Sequence, residues 1–86
     1  MEPSDVISHP VMTEVTSRIL ETENKLVFIV NKKATKTDIR KAVEELYEVR
    51  VSKVNVAVTR KGQKKAIVKL TPEYKAVDIA IKLGII

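Results

Sequence analysis

Between Ile39 and Val58 the hydrophobic period of the chain changes, and that change restricts the fold more than any other feature. Ile39, Ala42, Val43, Leu46 and Tyr47 fall at i, i+3, i+4, i+7 and i+8, the stripe of an amphipathic helix. From Val51 the spacing becomes two: Val54, Val56 and Val58 share one face, while Lys53, Asn55 and Thr59 do not. The turn Arg60-Lys61-Gly62-Gln63 follows, and Lys65 to Leu70 returns with Ala66, Val68 and Leu70 inward. This predicts a β-hairpin with a basic tip. A helix feeding a hairpin needs a sheet with helices packed on it, which is an α+β arrangement.

The remaining segments fit that frame. Thr35 with Asp38 three residues later resembles a capping box and sets the helix start near Lys36. Lys25 to Val30 is a continuous apolar run of strand length, suited to a strand covered on both faces. Ser8-His9-Pro10 reads as a helix start because proline is tolerated in the first turn, with Val11, Val15 and Ile19 on the stripe and Met12 and Leu20 widening it. Val6-Ile7 reads as a brief edge strand. Thr71-Pro72-Glu73 reads as a helix start, with Ala76, Val77, Ala80 and Ile81 on the stripe and Gly84 as the stop. The expected order is β-α-β-α-β-β-α, the first strand short. It implies a single antiparallel or mixed four-stranded sheet with packed helices, in one domain spanning residues 1–86.

Catalytic chemistry is scarce. The 86 residues include no cysteine, which excludes thiolate catalysis, redox chemistry and cysteine-bound zinc. His9 is the only histidine, the acids lack metal-ligand spacing, and Glu44-Glu45 reads as a solvated pair on a helix. Gly62 and Gly84 stand alone, so no glycine-rich loop cradles a phosphate. The expectation is a protein that is not an enzyme, with no metal and no cofactor. No apolar run approaches the roughly 18 residues of a membrane span, and the acidic MEPSDVISHP start lacks the build of a secretion signal. A soluble intracellular protein is the simplest reading.

Charge is the informative total. The net charge is +5, yet residues 1 to 24 hold five acids against Arg18 alone, a net of −4, which leaves +9 for residues 25 to 86. Lys32, Lys33 and Lys36 fall at the predicted strand-to-helix junction, with Arg40 one turn on. Arg50 and Lys53 open the next strand, and Arg60, Lys61, Lys64 and Lys65 form the hairpin tip. Together they read as an electrostatic footprint for a polyanion. Aromatics total three, with Phe28 on the buried strand and Tyr47 on the core stripe, so no base-stacking platform is expected. Basic turns of this kind suit phosphates and the shape of folded RNA.

Several stretches resemble one family. Ala34-Thr35-Lys36, then Ile39, Ala42-Val43-Glu44, Leu46, Val49, Val51 and Val54-Asn55, resemble the strand-helix-strand core of the universal large-subunit ribosomal protein twenty-three. Lys64-Lys65-Ala66-Ile67-Val68-Lys69-Leu70-Thr71 resembles that family's signature on the returning strand, and Pro10-Val11-Met12-Thr13-Glu14 its N-terminal motif. The match spans about residues 6 to 82. The resemblance implies a cytoplasmic, ribosome-bound structural protein. Its partners would be large-subunit rRNA near the peptide exit tunnel, neighbouring ribosomal proteins, and exit-site factors such as the signal recognition particle. It also implies a sheet in which the hairpin's second strand inserts between the two strands of the βαβ unit. Glu14 matches the family's glutamate on the factor-docking surface, although Val15 stands where lysine is usual. The short hairpin resembles the archaeal branch and does not suit a tunnel-reaching role. The competing reading is a small basic protein–protein interaction domain with non-specific RNA affinity.

Overall fold

The computed structural model describes residues 1–85 and contains the expected elements plus one short helix. In chain order these are α1 (Pro3–Val6), β1 (Ile7–Pro10), α2 (Glu14–Thr22), β2 (Lys25–Val30), α3 (Lys36–Tyr47), β3 (Val51–Val58), β4 (Lys64–Leu70) and α4 (Ala76–Lys82). The strands form one sheet in the order β1-β2-β4-β3, and every neighbouring pair is antiparallel. β4 therefore lies between β2 and β3, the two strands that α3 connects.

Local chemistry sets two helix starts later than the sequence suggested. Ser8-His9-Pro10 is not a helix entry: His9 pairs with Ile29 and Pro10 with Phe28 on an edge strand, where proline is tolerated. The helix waits for Thr13, whose hydroxyl accepts from the Thr16 N–H at 3.2 Å while the Thr16 hydroxyl accepts from the Thr13 N–H at 2.7 Å. That delay rotates the helix, so Thr16 and Leu20 turn inward and Val15 is left 64% exposed. In the same way Thr71-Pro72-Glu73 forms a turn instead of a cap, with the Thr71 N–H bonded to the Arg50 carbonyl.

The cap of α4 comes from a distant residue. Asn24, at φ 58, accepts from the Ala76 N–H through Oδ1 at 2.7 Å and donates through Nδ2 to the Tyr74 carbonyl at 2.8 Å. The Leu70 N–H returns to the Asn24 carbonyl at 3.1 Å. One side chain thus ties the end of α2, the start of β2 and the start of α4 together.

The core lies on one side of the sheet. Leu26, Phe28 and Val30 of β2 and Ala66, Val68 and Leu70 of β4 face the helices, against Ile39, Ala42 and Val43 of α3. The register of β3 shifts between Val51 and Lys53, so Val51 opposes Leu70 and Val54 opposes Val68. This bulge lets two valines three apart share the core face, which strict alternation forbids. Tyr47 stacks on Phe28 with ring centroids 5.9 Å apart and 9° between planes, so α3 docks through an aromatic pair. The apolar run of β2 is therefore explained only in part by helix cover: its alternate residues face a side of the sheet with no helix.

Replacing Asn24 with alanine should lower unfolding stability by about 2–3 kcal/mol, because backbone groups of the 70–76 segment lose their partners. Urea denaturation measures this, and a loss below about 0.5 kcal/mol, within the range of an ordinary surface change, contradicts the bridging role.

Candidate nucleic-acid interface

The hairpin turn is the five-residue segment Thr59–Gln63, closed by the Thr59 N–H to the Gln63 carbonyl at 2.8 Å and the Gly62 N–H to the Thr59 carbonyl at 3.0 Å. Gly62 sits at φ 80, a left-handed conformation that glycine takes without a Cβ clash. The Lys32 ammonium comes up against this turn, 3.8 Å from where a Cβ on Gly62 would stand. Two basic runs some thirty residues apart in sequence meet here at one end of the sheet, and Lys32, Lys33, Arg60 and Lys61 are all exposed. Lys64 has a different task. Its ammonium donates to the Ala34 carbonyl, which pins β4 to the turn preceding α3.

A second group forms along the α3–β3 seam. Lys36, Arg40 and Lys53 line one groove with Thr37 and Ser52, and Arg40 also lines the next groove with Arg50 and Thr71. The start of α3 is fixed by the expected capping box: the Thr35 hydroxyl accepts from the Asp38 N–H at 3.1 Å, and the Asp38 carboxylate accepts from the Thr35 N–H at 3.0 Å. Those bonds hold the Asp38 carboxyl below its usual value. Glu44 departs from the solvated-pair reading. Its Oε2 accepts from the Val51 N–H at 3.0 Å and lies 3.8 Å from Arg40 Nε, so it holds the first residue of β3 and orients Arg40.

Lys65 is half-buried and opposes Ile29 and Ala57 on the helix-free side of the sheet, not the tip. Glu14 stands apart, exposed at the first turn of α2 with the Arg18 guanidinium 4.0 Å away. α2 packs on β2 and α4 and lines neither of the two seam grooves. Among the described residues no group of three or more histidines, cysteines or acids is placed to hold a metal, and no helix is long and apolar enough to cross a membrane. Phe28 and Tyr47 are spent on the core, which leaves no aromatic on the strands' open side. Lys25 and Lys69 were missed in the sequence. The signal for them is alternation combined with strand register, and register is not visible along the chain.

The features together define a class: a small α+β protein with exposed basic side chains gathered at the hairpin end and along the α3–β3 seam. The profile of ribosomal protein L23 matches residues 5–82. Over 85 residues, covering 99% of both chains, the sequence is 51% identical to the large ribosomal subunit protein uL23 of Methanococcus aeolicus and 48% identical to that of Methanococcus vannielii. The chain belongs to the ribosomal protein L23 family, in its archaeal form. It is a ribosome-bound, cytoplasmic structural constituent of the large ribosomal subunit and not an enzyme.

Because folding lowers the Asp38 pKa, its contribution to stability is complete above the unfolded value of 3.8 and is lost as pH falls through the lower folded value. The melting temperatures of the wild type and of Asp38→Asn should therefore differ most near neutral pH and converge below pH 3.8. A gap that stays constant across that range contradicts the capping role of the carboxylate.

Proposed function

We propose that the protein binds large-subunit rRNA beside the peptide exit through Lys32, Lys33, Lys36, Arg40, Arg50, Lys53, Arg60, Lys61 and Lys65. Lys64 supports the same surface from behind by holding the hairpin to Ala34. The observation that carries this reading is the meeting of Lys32 with the Gly62 turn. Two separate basic segments are folded onto one end of the sheet, where a solvating role requires no such convergence. The five-residue turn is too short to extend down a tunnel, so the tip acts as a clamp on RNA at the subunit surface. Neighbouring ribosomal proteins share that surface.

On the other side α2 presents Glu14, exposed at its first turn, and we infer that this helix is the docking surface for nascent-chain factors, including the signal recognition particle. Val15, at 64% exposure, gives this helix an exposed apolar side chain beside Glu14. An exposed ion pair is worth up to about 1 kcal/mol and charge reversal adds repulsion, so Glu14→Lys in assembled subunits should weaken factor binding by about fivefold or more. No change in titrated affinity removes Glu14 from the docking surface.

The RNA reading is tested by replacing Lys32, Arg60 and Lys61 with alanine and measuring binding to protein-free large-subunit rRNA across salt concentrations. Each lost phosphate contact lowers the salt slope by about 1, so a drop of about 2–3 is expected. An unchanged slope overturns the clamp. Equal affinity of the wild type for unrelated RNA would favour a protein–protein interaction domain instead.

A further inference from the structure

The helices cover one face of the sheet, and the other face carries one row of lysine across three strands. Lys25 of β2 opposes Lys69 of β4, and Lys69 opposes Lys53 of β3. Two residues further along, Val27, Ile67 and Asn55 form the next row, and after it Ile29, Lys65 and Ala57. None of these nine positions is acidic. Neighbouring strands lie about 4.8 Å apart, so three ammonium-bearing residues stand within about 10 Å across the sheet. Like charges directly opposed on a sheet are destabilising. Lys25 has one partner, Glu23 at 3.0 Å, while among the described residues Lys53 and Lys69 form no salt bridge.

Protection of an exposed edge explains only part of this row. Lysine guards edge strands against stray pairing, which suits Lys53 on the edge strand β3 and Lys25, which lies beyond the β2 residues that β1 pairs, but Lys69 lies on β4, paired on both sides. At β4 no backbone group is free to pair with a peptide strand, and the face holds no aromatic on which a base could stack. What remains is a single row of three lysines across the sheet, bordered by the uncharged row Val27, Ile67 and Asn55, and its spacing suits a sugar–phosphate backbone. Lys53 makes it continuous with the seam groove it lines together with Lys36 and Arg40.

We propose that the helix-free face of the sheet is a second phosphate track, on which the backbone of large-subunit rRNA lies across β3, β4 and β2, held by Lys53, Lys69 and Lys25, with Lys65 in the next row but one. The proposal rests on the rRNA-binding reading and extends it to a face separate from the hairpin tip. Occupation by phosphate also accounts for the repulsion in the free protein, since the charges that oppose one another are neutralised only in the complex.

The test compares the full chain with the triple variant Lys25→Gln, Lys53→Gln, Lys69→Gln, with protein-free large-subunit rRNA as probe. The salt slope should fall by about 2–3 units, and the triple lysine-to-arginine variant, which keeps the charges, should retain the wild-type slope. In the free protein the glutamine variant should melt no lower than the wild type and should lose the rise in Tm that added salt gives the wild type. This shows that it folds and that the row repels. A wild-type slope in the glutamine variant, while the Lys32/Arg60/Lys61 variant loses affinity, overturns the second track and leaves the clamp standing. If instead the glutamine variant binds rRNA normally but no longer holds a neighbouring protein in the subunit, the face belongs to an acidic protein partner and the proposal is likewise overturned. Failure of the wild type to prefer large-subunit rRNA overturns both readings.

Discussion

Everything the surface does depends on β4 being hydrogen-bonded on both sides, to β2 and to β3. Those two strands run parallel to one another and are joined by α3, so without β4 they have no direct pairing. Its insertion closes the core by setting Ala66, Val68 and Leu70 between the apolar rows of β2 and β3. The same pairing fixes what lies outside the core. It carries the Gly62 turn to the Lys32 junction, lets the Lys64 ammonium reach the Ala34 carbonyl, and places Lys69 between Lys25 and Lys53. Packing and charge placement are two faces of one strand, because successive residues of a strand point to opposite sides.

Helix α3 and the hairpin were legible because their signals are local: a 3.6-residue stripe with its capping box, then a period of two around a glycine turn. The central place of β4 was legible only through the family resemblance, since neither propensity nor period says which strands become neighbours. The helix starts were misread where two acceptable caps competed. Pro10 offers a first-turn proline, but a strand pairing with Phe28 claims it, and the reciprocal Thr13–Thr16 bonds claim the helix. At α4 the capping group is Asn24, some fifty residues upstream, which no window along the chain can include. For the basic residues, the sequence shows density along each segment but not coincidence across segments. Lys32 beside Gly62 and the Lys25–Lys69–Lys53 row exist only once register is set.

The charge asymmetry then acquires a spatial meaning. The acidic first third builds α1, β1 and α2, with Glu14 exposed on α2, whereas the basic remainder supplies the hairpin end, the seam and the helix-free face. A protein of this size cannot give separate domains to separate partners. On the proposed reading it divides its surface, with RNA on the sheet and hairpin side and factors on the α2 side. The sparse aromatics fit this proposed division: Phe28 and Tyr47 stack inside to hold α3, which leaves ammonium and guanidinium groups as the side chains suited to phosphate.

The most direct test of the account is a lysine-acetylation footprint of the protein, free and in assembled large subunits, read by mass spectrometry. Lys32, Lys53, Lys61 and Lys69 should be strongly protected in the subunit, whereas Lys75 and Lys82, exposed at the two ends of α4, should react as in the free chain. Protection of the α4 lysines with the sheet and hairpin lysines still reactive would contradict it.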